Sequence, residues 1–150
     1  MRSFIETNAL IYADASDAGD KQARASAVVA QCLRDGSGVI STQVLHEFVN
    51  AAVRKLALPL DLLRALVRLC SRFETVNASA AAVLDALDLH ALNKISFWDA
   101  LIVQAARQSG CEQLLTQDRQ AGAVLAGVRI VKPFDVAMPR RPPRSRPKLR

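Results

Sequence analysis

Phe4-Ile5-Glu6-Thr7-Asn8-Ala9-Leu10-Ile11-Tyr12 sets one acid and two small polar side chains inside an otherwise apolar run. A run without polar alternation reads as a strand covered on both faces, the habit of central strands in parallel sheets. Open α/β sheets bind ligands at the carboxyl ends of their strands, and Glu6 stands where β-type residues give way to Thr7 and Asn8. Glu6 is therefore a candidate site residue. The same residues also suit a plainer role, with Thr7 and Asn8 as turn or capping groups and Glu6 solvated at a strand end.

Beyond this stretch, helical and extended patterns alternate. Asp14 to Asp20 supply turn and cap residues, and Lys21 to Arg34 carry apolar positions at helical spacing until Gly36 and Gly38 end the helix. Gly38-Val39-Ile40 is a short strand, after which Ser41 or Thr42 caps a helix through Val44, Leu45, Phe48, Val49 and Ala52. Pro59 to Phe73 reads as a helix, followed by an extended piece near Thr75 and Val76. Asn77 or Ser79 caps an Ala-rich helix reaching about Leu92, and Ser96 opens another over Phe97 to Ser109, stopped by Gly110. Gln113-Leu114-Leu115 and Val128-Arg129-Ile130-Val131 are the last strands. This order predicts an α/β fold, a three-layer α/β/α domain with a central parallel sheet and right-handed crossovers.

The chain has 150 residues, 51% of them hydrophobic, enough for one domain with a real core. That domain is expected over residues 1–134. Residues 135–150 hold six Lys/Arg, one acid and four prolines, a composition that cannot bury enough surface to fold. Such a basic tail is expected to be disordered. It suits salt-sensitive attraction to phosphates, and equally a solubilising role. Apolar runs are interrupted well before the ~20 residues a membrane span needs, and no signal peptide precedes the first strand, so a cytoplasmic location without membrane contact is expected. Cys32, Cys70 and Cys111 are far apart, lack zinc spacing, and read as reduced packing residues.

Three further acids fall in places like that of Glu6. Asp99 lies early in a nearly all-apolar helix, where it must be accommodated in poor solvent. Ser96-x-x-Asp99 resembles a capping box, and buried carboxylates also pair with cations or metals; both roles can hold together. Asp118 follows the Leu114-Leu115 strand by a short polar step, and Glu47 sits early in the helix after Val39-Ile40. All four acids thus lie just beyond strand ends or early in the adjoining helices. Oxygen-only ligands suit Mg²⁺ or Mn²⁺ rather than zinc, and such ions in a carboxylate cluster serve phosphodiester hydrolysis. His46 reads as a surface residue, His90 as structural or exposed, and Phe97 and Trp98 as core rather than RNA-stacking residues. There is no Gly-rich phosphate loop and no Ser/His/Asp or Cys/His constellation.

Four segments in order resemble the PIN-domain family, and particularly its VapC-type ribonuclease toxins of toxin-antitoxin pairs. They are Phe4 to Ala13, Ser41 to Phe48, Ile95 to Ile102, and Leu114 to Asp118, so the resemblance covers residues 1 to about 134. It implies a Mg²⁺/Mn²⁺-dependent endoribonuclease, a homodimer, and inhibition by a cognate antitoxin. Carried over by position, it makes Glu6, Glu47, Asp99 and Asp118 catalytic metal ligands, directly or through water. Thr7, Asn8 and Thr116 would support the carboxylates or the attacking water. The family's first acid is ordinarily Asp, and here Glu6 stands in its place, displacing the carboxylate by a methylene and implying weakened activity. Two rivals follow: a catalytically weakened domain that binds RNA or the antitoxin, and a related DNA nuclease.

Overall fold

Ser3–Ile5 forms the central strand β1 of the sheet, and its three residues are buried because strands lie on both sides and helices above and below. The computed structural model describes residues 1–14, 19–117, 121–133 and 136. After β1 come helices α1 (Thr7–Asp14) and α2 (Gly19–Asp35), strand β2 (Gly38–Ser41), helices α3 (Thr42–Arg54) and α4 (Leu60–Cys70), and strand β3 (Glu74–Val76). Helices α5 (Ala80–Asn93) and α6 (Phe97–Gln108) lead to strands β4 (Gln113–Leu115), β5 (Val124–Leu125) and β6 (Val128–Val131).

The sheet order is β3-β2-β1-β4-β6-β5, parallel everywhere except between β5 and β6. Parallel neighbours cannot be joined by a tight turn, so the intervening helices return the chain across the sheet and cover it. The result is the three-layer α/β/α arrangement. Phe4 stands opposite Val39 of β2 and Leu114 of β4, and all three side chains are fully buried. Ser41, Ser79 and Ser96 cap α3, α5 and α6, each side-chain oxygen accepting a backbone N–H in the first turn. Such caps are worth about 1 kcal/mol apiece.

At the amino ends of the strands Arg2 ties three elements, donating to the Ser109 carbonyl and to Glu74, the latter at 2.6 Å. Cys32, Cys70 and Cys111 are buried free thiols, as expected, and burial pushes the Cys32 and Cys111 thiols up from their ordinary range. Among the described residues no helix is long and apolar enough to cross a membrane.

Three expectations are corrected. The apolar run from Phe4 to Tyr12 is not one strand, because β1 ends at Ile5 and the chain coils at once into α1. The Glu6 carbonyl accepts from the N–H groups of both Ala9 and Leu10, and α1 packs against α2 and α3 with Ala9 and Leu10 buried. A helix covered on several faces lacks polar alternation just as a covered strand does, so pattern alone does not separate them. Strand β5 is an element that the sequence pattern does not announce. It pairs with β6 through Ala126-Gly127, both at positive φ (50° and 82°), a two-residue hairpin turn of the primed type. Trp98 is not in the core: it is 64% exposed, with its ring edge-on to Phe97. The tail over residues 135–150, Val136 apart, lies outside the described residues.

Candidate active site

Glu6, Thr7 and Asn8 follow the carboxyl end of β1, Thr116 that of β4, and Glu47 lies in the helix after β2. Glu6 directly follows β1, its N–H donating to the Leu115 carbonyl at the end of β4, and its side chain is half-buried. The next two residues, the first of α1, face in different directions and hold two different neighbours. The Thr7 hydroxyl is 2.9 Å from a carboxylate oxygen of Glu47 and 3.3 Å from the Val44 carbonyl, which fixes α1 to α3. The Asn8 side chain reaches the other way, to the end of β4. Its amide nitrogen donates to the Thr116 hydroxyl at 3.0 Å, and its amide oxygen accepts from the Gln117 N–H at 3.0 Å and the Thr116 hydroxyl at 3.1 Å.

Glu47 is gripped at both oxygens. Thr7 holds one, and the Gln43 amide, four residues earlier on the same helix face, donates to the other at 3.0 Å. That amide nitrogen also lies 3.3 Å from the Trp98 carbonyl, in the first turn of α6. Asp99, the next residue, is half-buried, and its N–H is capped by the Ser96 hydroxyl at 3.1 Å. The capping reading of Ser96-x-x-Asp99 is thus borne out on the serine side.

The structure therefore links Thr7 to Glu47, Asn8 to Thr116, and Glu47 through Gln43 to the turn that carries Asp99. It places Glu6 next to the two anchoring residues of α1. Asp118 lies outside the described residues. Among the described residues no three His, Cys, Asp or Glu side chains form a group able to hold a metal ion. The donor chemistry fits a hard divalent cation all the same: every candidate ligand is an oxygen, and Glu47 is oriented by two outer hydrogen bonds as metal-bound carboxylates commonly are. The sequence signals Gln43 only by its position four residues before Glu47 on the same helix face.

Thr116 is fully buried, so its hydroxyl and the Asn8 amide satisfy each other out of water. Thr116→Val, which keeps the shape and removes the oxygen, leaves that amide short of a partner at a cost of about 1–3 kcal/mol. Chemical denaturation measures it, and a change below about 0.5 kcal/mol would show that the pair does not brace β4 against α1.

A cavity of about 1050 Å³ opens at the opposite edge, at the amino ends of β1, β4 and β6. Its wall includes Asp35, whose carboxyl is held below the usual range by hydrogen bonds from Ser37. Ligands in open α/β sheets gather at the other edge.

The chain is thus a mostly parallel sheet wrapped by helices, with hydrogen-bonded polar side chains at the carboxyl ends of its strands. The family model of the PIN domain matches residues 3–124, and the chain belongs to that family. Solved structures of similar fold include the VapC20 toxin of Mycobacterium tuberculosis, which cleaves the sarcin-ricin loop. It is 18% identical, with 85% of this chain and 98% of that one covered and a TM-score of 0.66. A toxin-antitoxin complex from Klebsiella pneumoniae is 21% identical, covering 89% and 99%, with a TM-score of 0.66. DNA-bound VapBC from Salmonella typhimurium is 19% identical, covering 89% and 98%, with a TM-score of 0.65. At these identities the likeness is one of fold. No curated protein matches the chain.

Proposed function

We propose that this chain is a divalent-metal-dependent endoribonuclease and the toxin of a toxin-antitoxin pair, acting in the cytoplasm as a homodimer restrained by its antitoxin. The observation that carries the reading is the clasped Glu47: a carboxylate held at both oxygens, near the strand ends that carry Glu6 and joined to the Asp99 turn. Family membership and the toxin and toxin-antitoxin structures of like fold support it.

In this reading Glu6, Glu47, Asp99 and Asp118 hold Mg²⁺ or Mn²⁺. The bound ion supplies charge stabilisation at the phosphate and a lowered pKa for the attacking water. The chain's own contribution is orientation. Thr7 and Gln43 fix the Glu47 carboxylate, while Asn8 and Thr116 hold the end of β4, from which residue 118 follows.

Glu6 supports a second reading, in which the domain binds RNA or the antitoxin and cuts feebly, because a carboxylate one methylene too far forward misplaces its ion. A misplacement of about 1 Å costs up to about a hundredfold in rate. The test is cleavage of single-stranded RNA by the purified chain and by Glu6→Asp, in Mg²⁺, Mn²⁺ or EDTA, with flap DNA as a second substrate. RNA cleavage that needs metal and rises about tenfold or more in Glu6→Asp is the expected result. No cleavage by either protein favours the binding domain, and preferential cutting of flap DNA favours a DNA nuclease.

A further inference from the structure

A groove of about 470 Å³ runs along α3 from Glu47, with Thr7 and Asn8 beside that carboxylate and Asn50, Arg54 and Lys55 along the rest. Glu47, Asn50 and Arg54 follow one another at helical spacing, so a single face of α3 forms this wall. The groove is polar in sign: an acid stands at the site and two cations at the far end. Both cations are exposed, and among the described residues neither makes an ion pair. The Asn50 side chain is exposed too, without a hydrogen-bond partner among the described residues. Arg54 lies in the last turn of α3, where a cation offsets the helix dipole. Lys55, the C-cap of the same helix, is favoured there too, but the dipole does not explain why both cations and an unengaged amide line the same groove as Glu47.

The geometry points to a flanking-phosphate subsite, in which Arg54 and Lys55 hold a phosphate of the RNA strand beside the one that is cut. This rests on the ribonuclease reading above. Glu47 and Arg54 are seven residues apart, about 10 Å along the helix at 1.5 Å per residue. One phosphate cannot occupy both ends. A metal among the carboxylates neutralises the phosphate it binds but leaves the neighbouring one facing a negatively charged site. Cations at the far end of the groove supply that missing attraction, Arg through its planar fork and Lys as a mobile point charge. An acidic peptide laid in the same groove would bring its carboxylates against Glu47, so a nucleic-acid strand is the better occupant.

The test uses the full chain and a labelled single-stranded oligoribonucleotide, with binding read by fluorescence anisotropy in EDTA over a range of salt concentrations. The double variant Arg54→Ala/Lys55→Ala is expected to bind about tenfold more weakly. Its slope of log affinity against log salt should be shallower by about 0.7 for each phosphate that the variant no longer neutralises. The charge-preserving pair Arg54→Lys/Lys55→Arg should keep the wild-type slope. In Mn²⁺, a dinucleoside monophosphate, which carries only the scissile phosphate, should be cut equally by wild type and the alanine variant, while a longer RNA is cut more slowly by the variant. Weaker binding with an unchanged slope, equal losses on short and long substrates, or loss of acidic-peptide binding with RNA binding intact would each overturn the subsite. A wild-type chain that cuts RNA and a variant that matches it in affinity and slope would sink this inference alone. A wild type that neither binds nor cuts RNA would remove the ribonuclease reading and the subsite with it.

Discussion

Replacing Asp99 by Asn is expected to lower RNA cleavage by at least about a hundredfold and to leave the protein folded. Partners that only orient metal ligands are worth about 10–100-fold, and exchanging a ligand oxygen for an amide should exceed that. The fold is expected to survive because Asn keeps the size of Asp, the position is half-buried, and the bond from the residue-99 N–H to the Ser96 hydroxyl is present in either protein. The attraction of an acid to the helix N-terminus, which Asn lacks, is worth about 0.3–1 kcal/mol. Ser96→Ala is the companion variant. It removes the cap, costs about 1 kcal/mol, and should retain cleavage. Cleavage assays and denaturation curves on the two proteins separate the roles that one sequence motif overlays. Wild-type cleavage by Asp99→Asn would remove Asp99 from the site.

Phe4→Ala is expected to give the largest loss of stability, about 3–5 kcal/mol. Phe4 is the central residue of the central strand, fully buried and flanked by Val39 and Leu114, so the void left by its ring has no mobile neighbour to fill it. Domains of this size are stable by about 5–15 kcal/mol, so the variant should show a much lower denaturation midpoint and a visible unfolded fraction. Leu92→Ala is the control. Leu92 is 80% exposed and its truncation should change stability by no more than about 0.5 kcal/mol. A loss below about 1 kcal/mol at Phe4 would mean that the sheet centre can collapse around the gap, contrary to the packing described.

What could be read from the sequence is what local chemistry decides. Ser96 is legible as a cap, and Ser41 and Ser79 each as one of two candidates beside Thr42 and Asn77, because a cap needs only its own first turn. Val39-Ile40 and Leu114-Leu115 were legible as strands because short apolar runs ended by turn residues admit few other forms. The halt after Ile5 is not, since the turn of the chain at Glu6 is secured by the packing of α1 against α2 and α3. Strand β5 was hidden because its turn places Ala126, not Gly or Asn, at positive φ. Trp98 misled for a physical reason: an apolar side chain in an apolar helix reads as core, and only the surrounding elements show that nothing covers it. Of the site, the acids and the polar residues beside Glu6 are legible from their places and from the family likeness. The pairing of Thr7 with Glu47 and Asn8 with Thr116 joins residues 40 and 108 positions apart, beyond the reach of spacing.

The Gln43 side chain couples two helices through one nitrogen. Because that nitrogen serves the Glu47 carboxylate and the Trp98 carbonyl together, any displacement of the exposed indole's own backbone must break a hydrogen bond or drag Gln43 along. In the latter case the pull arrives at Glu47. The backbone of the first turn of α6 is in this way tied to Glu47 through a single amide nitrogen.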